Sequence, residues 1–261
     1  MIIDTPAVVM RTIPFSDNSL IVRCFTETQG KVTVMGKGVR RSKNPLSGML
    51  EAPNILRLHY HFKESREIQI LRDAEFHEDI MGLRRDYLRI SLSHVMVDLL
   101  DRSIHPLDPQ PILFRLIQQT LIALSKPEKP FRELFWFYLL HLGTQLGFKP
   151  GLDTCQRCNA ILRSAHLDLE SGTLHCPDCQ PQARFRLEDE SLRSLKEMTR
   201  IHLRDITPLH SSVETNRQIT EYLIQHLGVH VEGIQNAPSL RVLKQLEPSD
   251  PDGDLQKSVN P

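Results

Sequence analysis

Four of the five cysteines stand in two pairs, Cys155-Gln-Arg-Cys158 and Cys176-Pro-Asp-Cys179, with seventeen residues between the pairs. That interval lies inside the range of four-cysteine zinc sites. A tight turn within each pair lets two thiolates face one ion, and two such turns complete a tetrahedron of soft ligands that suits Zn²⁺. The segment between them, His166-Leu-Asp-Leu-Glu-Ser-Gly-Thr-Leu-His175, alternates in polarity around Ser171-Gly172 and reads as a β-hairpin joining the two turns. Four thiolates leave no open coordination position, so the expected site is structural, with one Zn²⁺ per chain. A redox reading needs only one dithiol, and no βαβ pattern surrounds these pairs. His166 and His175 are further donors, but beside four cysteines they read as hairpin residues. The fifth cysteine, Cys24, sits in an apolar run and reads as a small core residue.

The first 79 residues have the rhythm of strands. Short runs rich in β-branched residues cover residues 8–13, 19–26, 31–35, 55–62 and 68–71, with turn signals at 14–18 and 28–30. A loop rich in glycine and basic residues, 36–48, separates the third run from the fourth. Five strands with one long connection suit an OB-fold barrel, and an SH3-like barrel would give a similar string. From residue 80 the apolar period becomes helical: Leu83, Tyr87, Ile90, His94, Val97 and Leu100 share a face. A second helix fills 112–124. A third begins at Pro130 and stops at Gly147, is apolar nearly all round, and is the expected buried centre. Helical patterns return at 192–201, 219–227 and 239–246. The expected fold is therefore α+β: an OB-fold at 1–79, a mainly helical domain at 80–149 and 183–246, and a zinc-binding insertion at 150–182. The polar, acidic stretch 247–261 reads as a disordered tail.

The chain is neutral overall, but its charge is not evenly spread. Residues 23–66 carry nine Lys or Arg against three acids, and residues 31–43 carry five basic residues and no acid. Such a local field steers a polyanion even on a neutral molecule. Lys31, Lys37, Arg40, Arg41 and Lys43 are the candidate phosphate contacts, and Tyr60 and Phe62 are rings to weigh as base platforms against core packing. The longest apolar run, 134–140, is too short to span a bilayer, and no leader pattern opens the chain, which points to the cytoplasm. Enzyme motifs fail on inspection. Gly30-Lys31 with Gly36-Lys37-Gly38 has the wrong spacing for a phosphate loop and lacks its Ser or Thr. His226-Leu-Gly-Val-His230 lacks the glutamate of a zincin, and Gly228 reads as a helix end. Asp79, after His77-Glu78, reads as a helix cap. Nothing in the sequence demands catalysis.

The chain resembles the RecO family of recombination mediators. The likeness runs through Asp17-Asn-Ser-Leu-Ile-Val-Arg-Cys-Phe-Thr26, Gly30-Lys-Val, Lys37-Gly-Val-Arg-Arg41 and Gly48-Met-Leu-Glu-Ala-Pro. It continues through Phe131-Arg-Glu-Leu-Phe, Leu146-Gly-Phe-Lys-Pro-Gly-Leu, Tyr222-Leu-Ile, His226-Leu-Gly and Ser239-Leu-Arg-Val-Leu, and so covers residues 2–246. The resemblance implies a nucleoid-associated, non-enzymatic protein. Such a protein binds single- and double-stranded DNA, anneals complementary strands coated with single-strand binding protein (SSB), and loads RecA together with RecR, with RecF as a further partner. It also implies that the helical domain receives the acidic tail of SSB. Arg132 matches the family's arginine for that tail, and Phe131, Phe135 and Leu116 are the expected lining. The alternative is an RNA-binding protein of the translation or transcription machinery, where OB-folds and zinc ribbons are also common. The acidic tail departs from the family's pattern.

Overall fold

A computed structural model describes residues 1–41, 44–182 and 184–246. Lys43 and the acidic stretch 247–261 lie outside the described residues. The N-terminal strands β1 (Ile2–Phe15), β2 (Ser19–Thr26), β3 (Gly30–Gly36), β4 (Ile55–His61) and β5 (Ile68–Glu78) close into a barrel in the order β1-β2-β3-β5-β4. All neighbours run antiparallel except β3 and β5, and β1 closes the circle against β4. This is the OB-fold expected from the strand pattern. Alternation decides what fills it: Val9, Val22, Cys24, Val34, Leu58 and Tyr60 point inward and are fully buried or nearly so. The one-turn helix α1 (Leu46–Met49) lies against that interior.

The helical part follows a 3-10 turn (Met81–Arg85). It consists of α2 (Tyr87–Ser103), α3 (Pro111–Leu124), α4 (Phe131–Gln145), α5 (Asp189–Met198), α6 (Val213–His230) and α7 (Pro238–Leu246). Helix α4 is the buried centre, and the Trp136 indole N–H donates to Thr220 Oγ1 at 2.8 Å, so its one polar atom is satisfied inside the core. The α3–α4 connection is held by Arg89. Its nearly buried guanidinium donates to the carbonyls of Leu124, Lys126, Pro127 and Lys129 at 2.7–3.0 Å. No helix among the described residues is long and apolar enough to cross a membrane.

Barrel and helices share a core. Val8, Met10 and Phe25 face out of the barrel, yet they are buried with α2, α3 and α4, and the Phe25 and Phe114 rings lie 5.8 Å apart. Beside that contact, Asp101 of α2 is only 8% exposed and takes ion pairs from Arg23 and Lys31 of the barrel. The β2–β3 turn is pressed against the loop after α2: a Cβ on Gly30 would sit 2.1 Å from the Asp108 carbonyl oxygen. Gly30 also holds φ +67°, so glycine is required there twice over.

Three local expectations are corrected. Strand β5 runs to Glu78, well past Leu71, because its polar outward residues pair with β4 along the whole edge. Asp79 does not cap α2. Its carboxylate accepts from the Met81 N–H at the 3-10 turn, and Asp86 caps α2 through the Leu88 and Arg89 amides. Gly228 does not end α6, which continues to His230. There a Cβ would meet the Gln235 side chain at 2.4 Å, so this glycine serves close packing.

Candidate metal centre and nucleic-acid interface

Each cysteine pair forms its own tight turn. The Asn159 N–H donates to the Cys155 carbonyl at 2.9 Å, with Asn159 in the left-handed region at φ 60°, and the Cys179 N–H donates to the Cys176 carbonyl at 3.1 Å. The hairpin of β6 (Ala165–Leu167) and β7 (Leu174–His175) brings the turns together. Gly172 turns it at φ +68°, β8 (Arg186–Leu187) extends it, and the Gln156 N–H reaches the Leu174 carbonyl at 3.1 Å.

As a result the sulfurs of Cys155, Cys158, Cys176 and Cys179 all lie within 4.8 Å of one another, and those of Cys158 and Cys176 are 3.7 Å apart. Zinc–sulfur bonds of about 2.3 Å in a tetrahedron place neighbouring sulfurs roughly 3.8 Å apart, so the donor set fits such an ion. Two of the thiols are shifted in opposite directions by their neighbours. Burial opposes ionisation of Cys155, yet the amides of Cys176, Cys158 and Arg157, with the Cys158 thiol, bring it down to about 5. Cys179, beside the thiols of Cys158 and Cys176, is pushed up to about 12. Four sulfurs this close cannot all ionise without a cation among them.

The two hairpin histidines face each other across β6 and β7 and stay outside the ligand cluster. His175 Nδ1 lies 4.0 Å from Cys155 Sγ, and His166 Nδ1 meets the Gln180 carbonyl. His226 is a packing post. Its ring nitrogens lie 3.0 and 2.8 Å from the carbonyl oxygens of Gly172 and Phe148, while His230 stacks on Phe148 at 4.4 Å. Inside the barrel, burial pushes the Cys24 thiol up to about 12, which leaves it a core residue without nucleophilic use.

The candidate phosphate contacts separate into two groups. Lys37, Arg40 and Arg41 are exposed on the loop after β3 and have no carboxylate partner among the described residues. The Arg40 N–H bonds the Asn18 carbonyl at 3.1 Å and its guanidinium bonds that of Ser16 at 3.2 Å, which seats the loop beside the β1–β2 turn. Lys31 stands apart. Its ammonium is 15% exposed and held by the Asp101 carboxylate at 2.9 Å and by carbonyls at the end of α2, so it fastens the barrel to the helices. Of the two rings, Tyr60 is in the barrel interior and Phe62 packs against it.

Arg132 is half-buried, with its guanidinium 5.8 Å above the Phe131 ring. Leu116 and Phe131 pack partly against the core, but Phe135 is buried in that core and lines no surface slot. A cleft of about 620 Å³ opens at the other end of the α3–α4 connection, floored by Ile122, Ala123 and Leu203 and rimmed by Lys126, Lys129 and Arg204. Periodicity does not reveal this cleft, because its cations come from segments more than seventy residues apart, as in the 2.9 Å bond from Lys129 to the Arg204 carbonyl.

Comparison with known proteins agrees with this architecture. Residues 1–79 match the family described as Recombination protein O N terminal, and residues 84–238 match Recombination protein O C terminal. The chain is 28% identical over 261 residues to the DNA repair protein RecO of Prosthecochloris aestuarii, covering 95% of this chain and 99% of that one. It is 27% identical over 250 residues to the DNA repair protein RecO of Salinibacter ruber, covering 96% of each. With the RecO protein of Chlorobium limicola, identity is 34% over 155 residues, 59% of each chain.

Proposed function

Because the chain belongs to the RecO family of DNA repair proteins, we propose that it is a non-enzymatic mediator that binds single- and double-stranded DNA, anneals SSB-coated complementary strands, and acts with RecR, and more distantly RecF, in loading RecA at the nucleoid. The family match favours DNA repair over the RNA-binding alternative. The observation that carries the reading is the set of exposed, carboxylate-free cations Lys37, Arg40 and Arg41, seated by the β1–β2 turn on the rim of an OB barrel. Lys43, in the same loop, is assigned to the same role. The four-cysteine centre holds Zn²⁺ as a staple with no open position, so the metal fixes the insertion's shape and takes no part in chemistry.

Phosphate contact through this loop has a defined signature. Four contacts on a single strand give a log–log salt slope of roughly −2.8, and Arg40→Ala with Arg41→Ala is expected to flatten it by about 1.4 while weakening all sequences alike. Titrations of fluorescent strands at several salt concentrations read this directly. An unchanged slope and affinity would remove the loop from the binding face.

The SSB tail, acidic and ending in an apolar residue and a carboxylate, is assigned to Arg132, whose planar fork grips a carboxylate by two hydrogen bonds while Phe131 and Leu116 supply apolar contact. Arg132→Ala is expected to cost about tenfold, roughly 1.5 kcal/mol, for a tail peptide and to leave naked DNA binding unchanged. Equal peptide affinities, with a loss on Lys126→Ala and Arg204→Ala instead, would move the tail to the cleft at the end of α3.

A further inference from the structure

The cleft at the end of α3 sets cations over an apolar floor. Ile122, Ala123 and Leu203 are half-buried at its base and pack on the main core, and Lys126, Lys129, His202 and Arg204 surround them. Among the described residues no Asp or Glu lines it. Lys126 and Lys129 have no carboxylate partner among those residues, and Arg204 meets its neighbour Asp205 at 3.6 Å with both side chains well exposed. Such an exposed pair holds the arginine weakly. A lone anion would leave the floor uncovered, so the cleft fits an acidic peptide that carries an apolar side chain.

The chain has such a segment of its own. Residues 247–255, Glu-Pro-Ser-Asp-Pro-Asp-Gly-Asp-Leu, hold four acids and no base and close with Leu255. They follow α7, and α7 is directed toward the cleft. The Gly233 carbonyl accepts from Arg102 near the end of α2, and Ser239, six residues later, donates to Asp98, one turn back. The chain thus runs back along α2 as it advances, and the nine residues of α7, about 13 Å at helical rise, carry it toward the first turn of α2. There Arg89 holds the carbonyls of Lys126 and Lys129. The eight residues 247–254 extend up to roughly 26 Å.

We propose that the acidic stretch 247–255 folds back onto this cleft, its carboxylates on Lys126, Lys129 and Arg204 and Leu255 on the floor, as a built-in competitor of acidic partners. Tethering makes a weak contact effective. A short flexible linker supplies an effective concentration of about 1 mM, so an intrinsic dissociation constant of about 0.1 mM keeps the cleft roughly 90% occupied. An acidic peptide from outside then binds about tenfold more weakly than it would to the open cleft. The assignment is independent of the roles given to Arg132 and to the barrel loop.

The test compares the full chain with a variant in which Glu247→Gln, Asp250→Asn, Asp252→Asn and Asp254→Asn remove the charges and keep the length. The probe is a fluorescent peptide of residues 247–256 added in trans. Its affinity is expected to be at least fivefold higher for the neutralised chain, and Lys126→Glu with Arg204→Glu is expected to abolish that gain. Equal affinities for the neutralised and wild-type chains would leave the cleft open to an acidic partner from another protein and overturn the proposal. A gain that survives the two cleft changes overturns it too. Zero-length carbodiimide coupling of dilute wild-type protein gives a second readout: amide links within one chain from Asp250, Asp252 or Asp254 to Lys126 or Lys129. Absence of these links, or links to Lys37 in their place, contradicts the docking.

Discussion

Stripping the metal from the four-cysteine centre, or replacing Cys158 by Ser, is expected to unfold the insertion at 150–182 while the helical core stays intact. The loss should be several kcal/mol, below the roughly 10–16 kcal/mol that isolated zinc-finger peptides gain, because packing supplies part of the insertion's stability. Leu152, Leu162, Leu167 and Leu174 are buried with the helices. Hydrogen exchange locates the effect: the amides of Gln156 and Asp168, bonded to Leu174 and Thr173, should lose protection, and Trp136 fluorescence should not change. Metal uptake must also release protons. Thiols in the unfolded insertion, at the ordinary value of about 8.5, are mostly protonated near neutral pH and give up those protons as they become ligands. Calorimetry in buffers of different ionisation heat should therefore find close to four protons released per Zn²⁺. Protein purified without chelators that contains no zinc contradicts this account.

Asp101→Ala is expected to destabilise the fold by about 3 kcal/mol, the cost of leaving charges without their buried partner. The carboxylate is nearly buried and shared by Arg23 and Lys31, so its removal strands two cations at the junction of barrel and helices. An exposed ion pair would be worth about 0–1 kcal/mol. For a chain of this size a 3 kcal/mol loss lowers the unfolding midpoint by roughly 6–12 °C. Adding Lys31→Met should restore part of the loss, because one stranded charge is then gone. Denaturant titration decides it, and a cost below 1 kcal/mol for the single change contradicts the lock.

What the sequence reveals follows the range of the interactions. The four-cysteine cluster is legible because each pair is local and its spacing is itself the geometry. Strand β2 is legible because its alternation is nearly unbroken, and the buried helix α4 because Pro130 and Gly147 bound an apolar run too long for a strand. The end of β5 is not, since Arg72, Asp73 and Glu75 are polar and exposed and owe their strand conformation to β4. Gly228 reads as a stop because glycine disfavours helix by about 1 kcal/mol, and only the approach of Gln235 explains it inside α6. Lys31 reads as one of five loop cations because Asp101 is seventy residues away. Tyr60 and Phe62 share a run, and only barrel closure shows that Tyr60 points inward.

In the proposed function the barrel rim presents DNA for pairing. Its most direct test is annealing of complementary strands coated with SSB, without nucleotide or Mg²⁺, by the wild-type protein and by the Arg40→Ala, Arg41→Ala variant. The account predicts that the wild type accelerates duplex formation and that the variant loses most of that acceleration while retaining its zinc and its fold. Annealing by the wild type no faster than by the coated strands alone, or undiminished in the variant, contradicts it.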